Sequence, residues 1–241
     1  MAKKKPKVHP IKKDEADRAL YLDFEGTGAS KTNPNPLPLL AGVLCESSYT
    51  VTVLDQRLEP LTHRSYIKYT PLDDFLGQLL KQAIDEQRRI AFWTSHEEKL
   101  FEERGYPPRE VGFDVKIPTK ETYLKKHFTQ FRKDTKAFRD PNTSKTRKKI
   151  LQPRAHSLLT IIAGELGLPR PSGFGAGLVG KWLRSILDQS DKKTAYPTWS
   201  RGSKAAVTKL IKHNCHDCCA TKFILDYLFS LENDTLKTWL N

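Results

Sequence analysis

The sequence predicts a single α/β domain with a mixed sheet of five or more strands flanked by helices. Three observations predict it. Strand-like segments come first, alternating helix and strand patterns follow, and helical patterns alone close the chain, an order that suits helices packed on a mixed sheet. At 241 residues there is ample material for one such core. No run of about 18 apolar residues interrupts the pattern, so a membrane span is not expected.

Residues 1–13 carry Lys3, Lys4, Lys5, Lys7, Lys12 and Lys13 with two prolines, and read as a disordered basic tail ahead of a domain over 14–241. Residues 19–26 (ALYLDFEG) read as a strand, and segments 39–46, 50–54 and 64–69 should continue it as a meander. Over 71–89, Phe75, Leu79, Leu80 and Ile84 fall at helical spacing with Pro71 near the start. Residues 89–94 (RIAFWT) form a short apolar run that fits a buried parallel strand. A helix should start at once, because Ser95 and Glu98 have the spacing of a capping box.

From 116 to 154 the composition shifts to thirteen Lys or Arg against three acids, with Tyr123, Phe128, Phe131 and Phe138 among them. This stretch, a helix followed by the polar loop PNTSKTRKK, reads as a basic insertion on the core. It is either a solvated face or a single-strand binding groove, which needs aromatics among cations. Helices follow at 157–166 (with Ser157 as its cap), 178–187 and 204–229, the first two separated by a Pro/Gly loop.

The net charge of +13 points to a polyanionic partner, with nucleic acid the expectation. Lys125, Lys126, Arg132, Lys133, Arg147, Lys148 and Lys149 in the insertion, with Lys181 beyond it, are the candidate phosphate contacts. The four cysteines, Cys45, Cys215, Cys218 and Cys219, are poorly spaced for a disulfide framework, and no apolar leader follows the first lysines. An intracellular setting, cytoplasmic or nucleoid-associated, is expected.

The chemistry is concentrated in a few acids. Strand alternation puts Leu20, Leu22 and Phe24 on one face, and Tyr21, Asp23 and Glu25 on the other. Two carboxylates at i and i+2 stand about 7 Å apart and point the same way. Mid-strand they repel and lose hydration, penalties that a hard divalent cation removes; a solvent-facing polar stripe is the bland alternative. Glu97 lies in the first turn of a helix leaving a buried strand, where open α/β sheets display functional groups. Glu98, with a ready capping role, is the second choice. In the last helix Val207, Leu210, Ile211, Asn214, Cys218, Thr221, Ile224, Leu225 and Leu228 trace the inward stripe. Asp217 borders that stripe, and His213, four residues earlier, shares its face.

YLDFEGTG resembles the first motif of the DEDD exonuclease superfamily, and HNCHDCCAT its last, with an Asp ahead of an Ala-Thr pair. IAFWTSHEEKLF is similar to the middle motif in the variant of ribonuclease H-like nucleases where Glu replaces the usual Asp, and HSLLTIIAGELGL to the helix preceding the last motif. The resemblance runs in order from about residue 20 to 229 and leaves the basic insertion without a counterpart. It implies a ribonuclease H-like fold and two-metal hydrolysis of DNA or RNA phosphodiesters from a 3′ end. Asp23, Glu25, Glu97 and Asp217 would hold two Mg²⁺ or Mn²⁺ ions roughly 4 Å apart. A Tyr usually stands four residues before the last Asp, or a His five before; here those positions are His213 and Lys212. His213 is therefore the candidate general base, unless the water is oriented otherwise.

Other signals lead elsewhere. GAGLVGK (175–181) has phosphate-loop glycines, but Trp182 stands where the metal-binding hydroxyl should be and no strand precedes it. That leaves a loop able to touch a substrate phosphate, not a nucleotide site. His213, Cys215, His216, Cys218 and Cys219 suggest zinc, yet contain one C-x-x-C pair only, and are read as core residues. Three rivals stay open: an inactive nucleic-acid-binding module of the same fold, an endonuclease with the same metal chemistry, and a zinc-binding structural protein.

Overall fold

The alternation of LYLDFE makes β1 (Leu20–Glu25) a strand with two differently occupied faces. The computed structural model describes residues 9–28, 36–155, 157–174, 177–192, 195–231, 236, 237, 239 and 240. Among them β1 is joined by β2 (Leu40–Cys45), β3 (Ser48–Val53), β4 (Ile67–Tyr69), β5 (Ile90–Phe92) and β6 (Gly112–Asp114) in one sheet of order β4-β3-β2-β1-β5-β6. The pairs β1–β2 and β2–β3 are antiparallel, whereas β1–β5 and β5–β6 are parallel. The sheet is mixed, as expected.

The expected meander stops at β3. β4 runs parallel to β3, because a 3₁₀ segment (Gln56–His63), capped where Asp55 accepts from the Arg57 amide, carries the chain back to the starting end.

Helices cover both faces. Leu20 and Leu22 pack with Phe75 and Leu76 of α2 (Leu72–Asp85) and Phe101 of α3 (Ser95–Glu103); α1 (Lys13–Asp17) precedes β1. Tyr21, on the opposite face, packs with Ile162 of α7 (Leu158–Glu165) and Ile224 and Leu225 of α9 (Arg201–Phe229). Val51 and Val53 meet Trp182 and Ile186 of α8 (Leu178–Ser190) on that same side. Between α3 and α7 stand α4 (Lys116–Thr119), α5 (Lys125–Arg139) and α6 (Lys145–Ala155), the last two packed on one another. No helix among the described residues is long and apolar enough to cross a membrane.

Several boundaries differ from expectation for local reasons. Ile11 is fully buried and pairs with Leu240, and the buried Arg89 donates to the carbonyls of His9 and Pro10, so the chain joins the domain before residue 14. Residues 1–8, with Lys3, Lys4, Lys5 and Lys7, lie outside the described residues. Ile84 is exposed, because the inward stripe of α2 runs through Phe75, Leu76, Leu79 and Ala83 and leaves position 84 on another side. The end of PNTSKTRKK is helical: the Ser144 hydroxyl accepts from the Arg147 amide and starts α6. Ser200 caps α9 by accepting from the Ser203 amide, so that helix starts before residue 204.

Candidate functional site

The face of β1 that carries Tyr21 also carries Asp23 and Glu25, and it looks onto α9. Hydrophobic burial of the α9 stripe, with Leu210, Asn214, Cys218 and Thr221 all inward, brings His213 and Asp217 against that face. The third contribution comes from the β5–α3 junction. There Thr94, not Ser95, is the N-cap: its hydroxyl accepts from the His96 amide and bonds Glu97 Oε2 at 2.6 Å. The expected capping partner Glu98 is thus replaced by Glu97, because the helix begins one residue earlier than its S-x-x-E spacing implies. Glu97 is nonetheless the buried acid of the pair, and Glu98 is half-buried.

Asp23 is the acid that feels the other three. Burial raises the Asp23 pKa well above the usual carboxylate range, and the charges of Glu25, Asp217 and Glu97 raise it further against one opposing hydrogen bond from Asn214. Burial pushes Asp217 up to about 6, with His213 and Arg170 opposing and Glu25 reinforcing. Burial likewise pushes Glu97 up to about 7 against its Thr94 bond. His213 Nδ1 stands 3.2 Å from Glu25 Oε1 and 3.5 Å from Asp217 Oδ2. Burial lowers the His213 pKa, but the two carboxylates outweigh it and the net shift is upward. Neither Glu25 Oε1 nor His213 Nδ1 is aligned for a hydrogen bond, and Asp217 Oδ1 is also buried without one. Phe174 and Trp182 cluster with the imidazole, their ring centroids 6.1 and 6.0 Å from it and 5.8 Å from one another.

The sequence did not single out the residues that fix Asp23. Asn214 Nδ2 donates to Asp23 Oδ2 at 2.7 Å and to the Asp23 carbonyl at 3.0 Å, while Asn214 Oδ1 accepts from the Tyr49 hydroxyl at 2.8 Å. This bridge needs Gly42 on β2, where a Cβ would overlap Asn214 Oδ1 and stand 2.6 Å from the Tyr49 hydroxyl. Arg170, in the Pro/Gly loop, donates to the Phe174 carbonyl and to Thr160 Oγ1, and its charge reaches Asp217. Asp114, at the end of β6, is pushed by burial to about 6 and adds its charge to Glu97. Asn214 had a signal, its place on the α9 stripe; the others had none at short range.

The basic candidates stand around this centre, not in it. Lys125, Lys126, Arg132, Lys133, Arg147, Lys149 and Lys181 are exposed and Lys148 is half-buried. Burial lowers the Lys116 pKa, Arg132 adds a little to that shift, and Asp114 and Glu97 oppose it. The expected aromatic interleaving turns inward instead: Phe128 is buried and Phe131 packs on the same core, since their helix lies on apolar neighbours. All four cysteines are free thiols; Cys218 is fully buried, and the Cys215 and Cys219 thiols share a hydrogen bond. Part of GAGLVGK, residues 175 and 176, lies outside the described residues, and Gly177 caps α8 at φ +75°.

Hard divalent cations suit this donor set, which is all carboxylate and has buried oxygens without partners. Among the described residues, however, no three His, Cys, Asp or Glu side chains already form a metal-holding group. His213 stands between Glu25 and Asp217, where a cation would otherwise offset their charge. Comparison with family models, curated proteins and solved structures finds no match for this chain.

Proposed function

We propose that this chain is a metal-dependent nuclease of the DEDD type on a ribonuclease H-like fold, hydrolysing nucleic-acid phosphodiesters from a 3′ end. One observation carries the proposal: Asp23, Glu25, Glu97 and Asp217, from β1, the first turn of α3 and α9, converge closely enough that the other three raise the pKa of Asp23. A fold rarely gathers buried like charges without a ligand that compensates them. β1 and α9 carry three of the acids, Asp23, Glu25 and Asp217, that the family resemblance assigns to metal binding.

Bound Mg²⁺ or Mn²⁺ would supply charge stabilisation to the phosphate oxygens and lower the pKa of water. Asp23, Glu25, Glu97 and Asp217 would hold it. With Glu25 and Asp217 occupied by the metal, His213 beside them would accept the proton of the attacking water as the water oxygen bonds phosphorus and the P–O3′ bond breaks, and that proton would pass through solvent to the leaving 3′ oxygen. Trp182 and Phe174 keep its ring in place during that transfer.

A second reading, a nucleic-acid-binding module without catalysis, is favoured by one observation: a protonated His213 could itself neutralise Glu25 and Asp217. Degradation of 3′- and 5′-labelled DNA and RNA with Mg²⁺ or Mn²⁺, and of circular substrates beside them, separates the readings. Cleavage from the 3′ label only, absent in Asp23→Asn and Asp217→Asn, is expected. Cut circles would mean an endonuclease, and binding without cleavage would leave the module.

A further inference from the structure

The helical hairpin of α5 and α6 presents Arg132, Lys133, Lys136, Arg139, Arg147 and Lys149 to solvent. The ion pairs of this hairpin among the described residues run from Lys126 and His127 to Glu165 and leave those six cations unpaired. Its rings are not free. Phe128 is 3% exposed and sits 6.4 Å from Trp93. Phe131 is partly buried against the same core, in the groove it shares with Arg132, Lys136 and Arg139. Tyr123, just before α5, is exposed, but Lys126 Nζ lies 5.5 Å from its ring centre and Tyr227 bonds its hydroxyl.

A single-strand groove draws much of its affinity from bases stacked on open rings. A surface of cations alone reads phosphates, and gains most where phosphates are densest. Duplex carries one charge per about 1.7 Å of axis, and its counterion release is steeper than that of a single strand. The 15 residues of α5 extend for about 22 Å, roughly six base-pair rises.

Two sets of neighbours lead from the hairpin toward the carboxylate site. Lys116 lies within electrostatic reach of both Arg132 and Glu97. On the other side, a Cβ at Gly177 would stand 3.6 Å from Gln152 of α6, and one at Gly180 would stand 3.8 Å from the Thr27 carbonyl just beyond β1.

Resting on the nuclease reading, we infer that the substrate contains a duplex arm, held on its phosphates by the α5–α6 hairpin so that a strand end reaches the carboxylates. Fluorescence anisotropy in EDTA, where nothing is cut, tests this with a 5′-labelled 12-bp duplex bearing a short 3′ overhang and an unstructured strand of equal length. Duplex should bind about tenfold tighter. Neutralising Arg132, Lys133, Arg147 and Lys149 to Ala together should abolish that preference and reduce the salt slope by about 3 to 4. Arg132→Lys/Arg147→Lys should keep both, which separates charge from hairpin folding. Equal or tighter single-strand binding, or an unchanged salt slope in the neutralised protein, overturns the inference. Duplex preference in a protein that cuts nothing with Mg²⁺ or Mn²⁺ would instead sink the nuclease reading and leave the duplex grip standing.

Discussion

The two halves of the carboxylate site are held in opposite ways. On the Asp23 side the carboxylate is bonded to Asn214, Asn214 to Tyr49, and Gly42 leaves the space for both. On the Asp217 side, Glu25 Oε1, Asp217 Oδ1 and His213 Nδ1 are buried without an aligned partner. The difference teaches what each half is for. A bonded carboxylate is fixed in direction and can serve as an anchor. Unpaired buried oxygens cost the fold free energy, which a ligand bringing positive charge recovers.

The largest effect should come from breaking the anchored half at its narrowest point. Gly42→Ala must displace both Asn214 and the Tyr49 hydroxyl, since the backbone fixes where the new methyl stands and it overlaps the two of them. Overpacking of this kind costs about 3 kcal/mol, or roughly 10 °C in Tm for a domain of this length. Thermal denaturation checks it. A Gly42→Ala protein that melts with wild type would mean the bridge is looser than its distances state.

The other half should betray itself through pH. Asp217 near 6, Glu97 near 7, and the raised pKa values of Asp23 and His213 all have the same sign. Each group binds its proton more tightly in the folded protein. The stability this contributes is complete below the ordinary pKa values and is lost as pH rises through the folded ones. Metal-free protein should therefore lose Tm between about pH 5 and 8, and Mn²⁺ should restore it at the upper end and not at the lower. Asp217→Asn should flatten that loss, melt several degrees above wild type at pH 8 without metal, and gain little from Mn²⁺. An activity-dead variant more stable than its parent is the usual mark of a functional charge cluster. A Tm that falls equally in Asp217→Asn would place the strain elsewhere.

The sequence disclosed those parts of this site that obey a short period. Alternation put Asp23 and Glu25 on one face of β1, and the 3.6-residue period put Asn214 and Cys218 inward with His213 and Asp217 beside them. It went astray where a one-residue choice decides. The S-x-x-E spacing assigns capping to Glu98 and leaves Glu97 free, whereas Thr94 is the cap and Glu97 its partner; burial within reach of Asp23, not freedom from capping, sets Glu97 apart. The basic insertion had the composition of a stacking groove, but composition does not say which face of a helix its rings occupy, and Phe128 went to the core. Gly42, Tyr49 and Asn214 were illegible as a unit because the bridge joins two neighbouring strands to a helix some 165 residues further on.

The smallest effect sharpens the comparison most. Tyr49→Phe keeps the ring and removes the short bond to Asn214 Oδ1 together with a long 3.5 Å one to the Ile211 carbonyl, leaving Asn214 Oδ1, among the described residues, with the Cys218 thiol 4.0 Å away. A net hydrogen bond is worth about 1 kcal/mol, so Tm should drop by roughly 3 °C. If the Tyr49 hydroxyl acts by holding Asn214, and through it Asp23, kcat should fall about fivefold, the same 1 kcal/mol, with KM unchanged. Glu98→Gln, one residue from Glu97 on the same helix, should alter neither Tm nor kcat. A Tyr49→Phe protein with normal Tm and raised KM would mean that the hydroxyl meets substrate directly. The anchored half would then be a binding surface as well as a support.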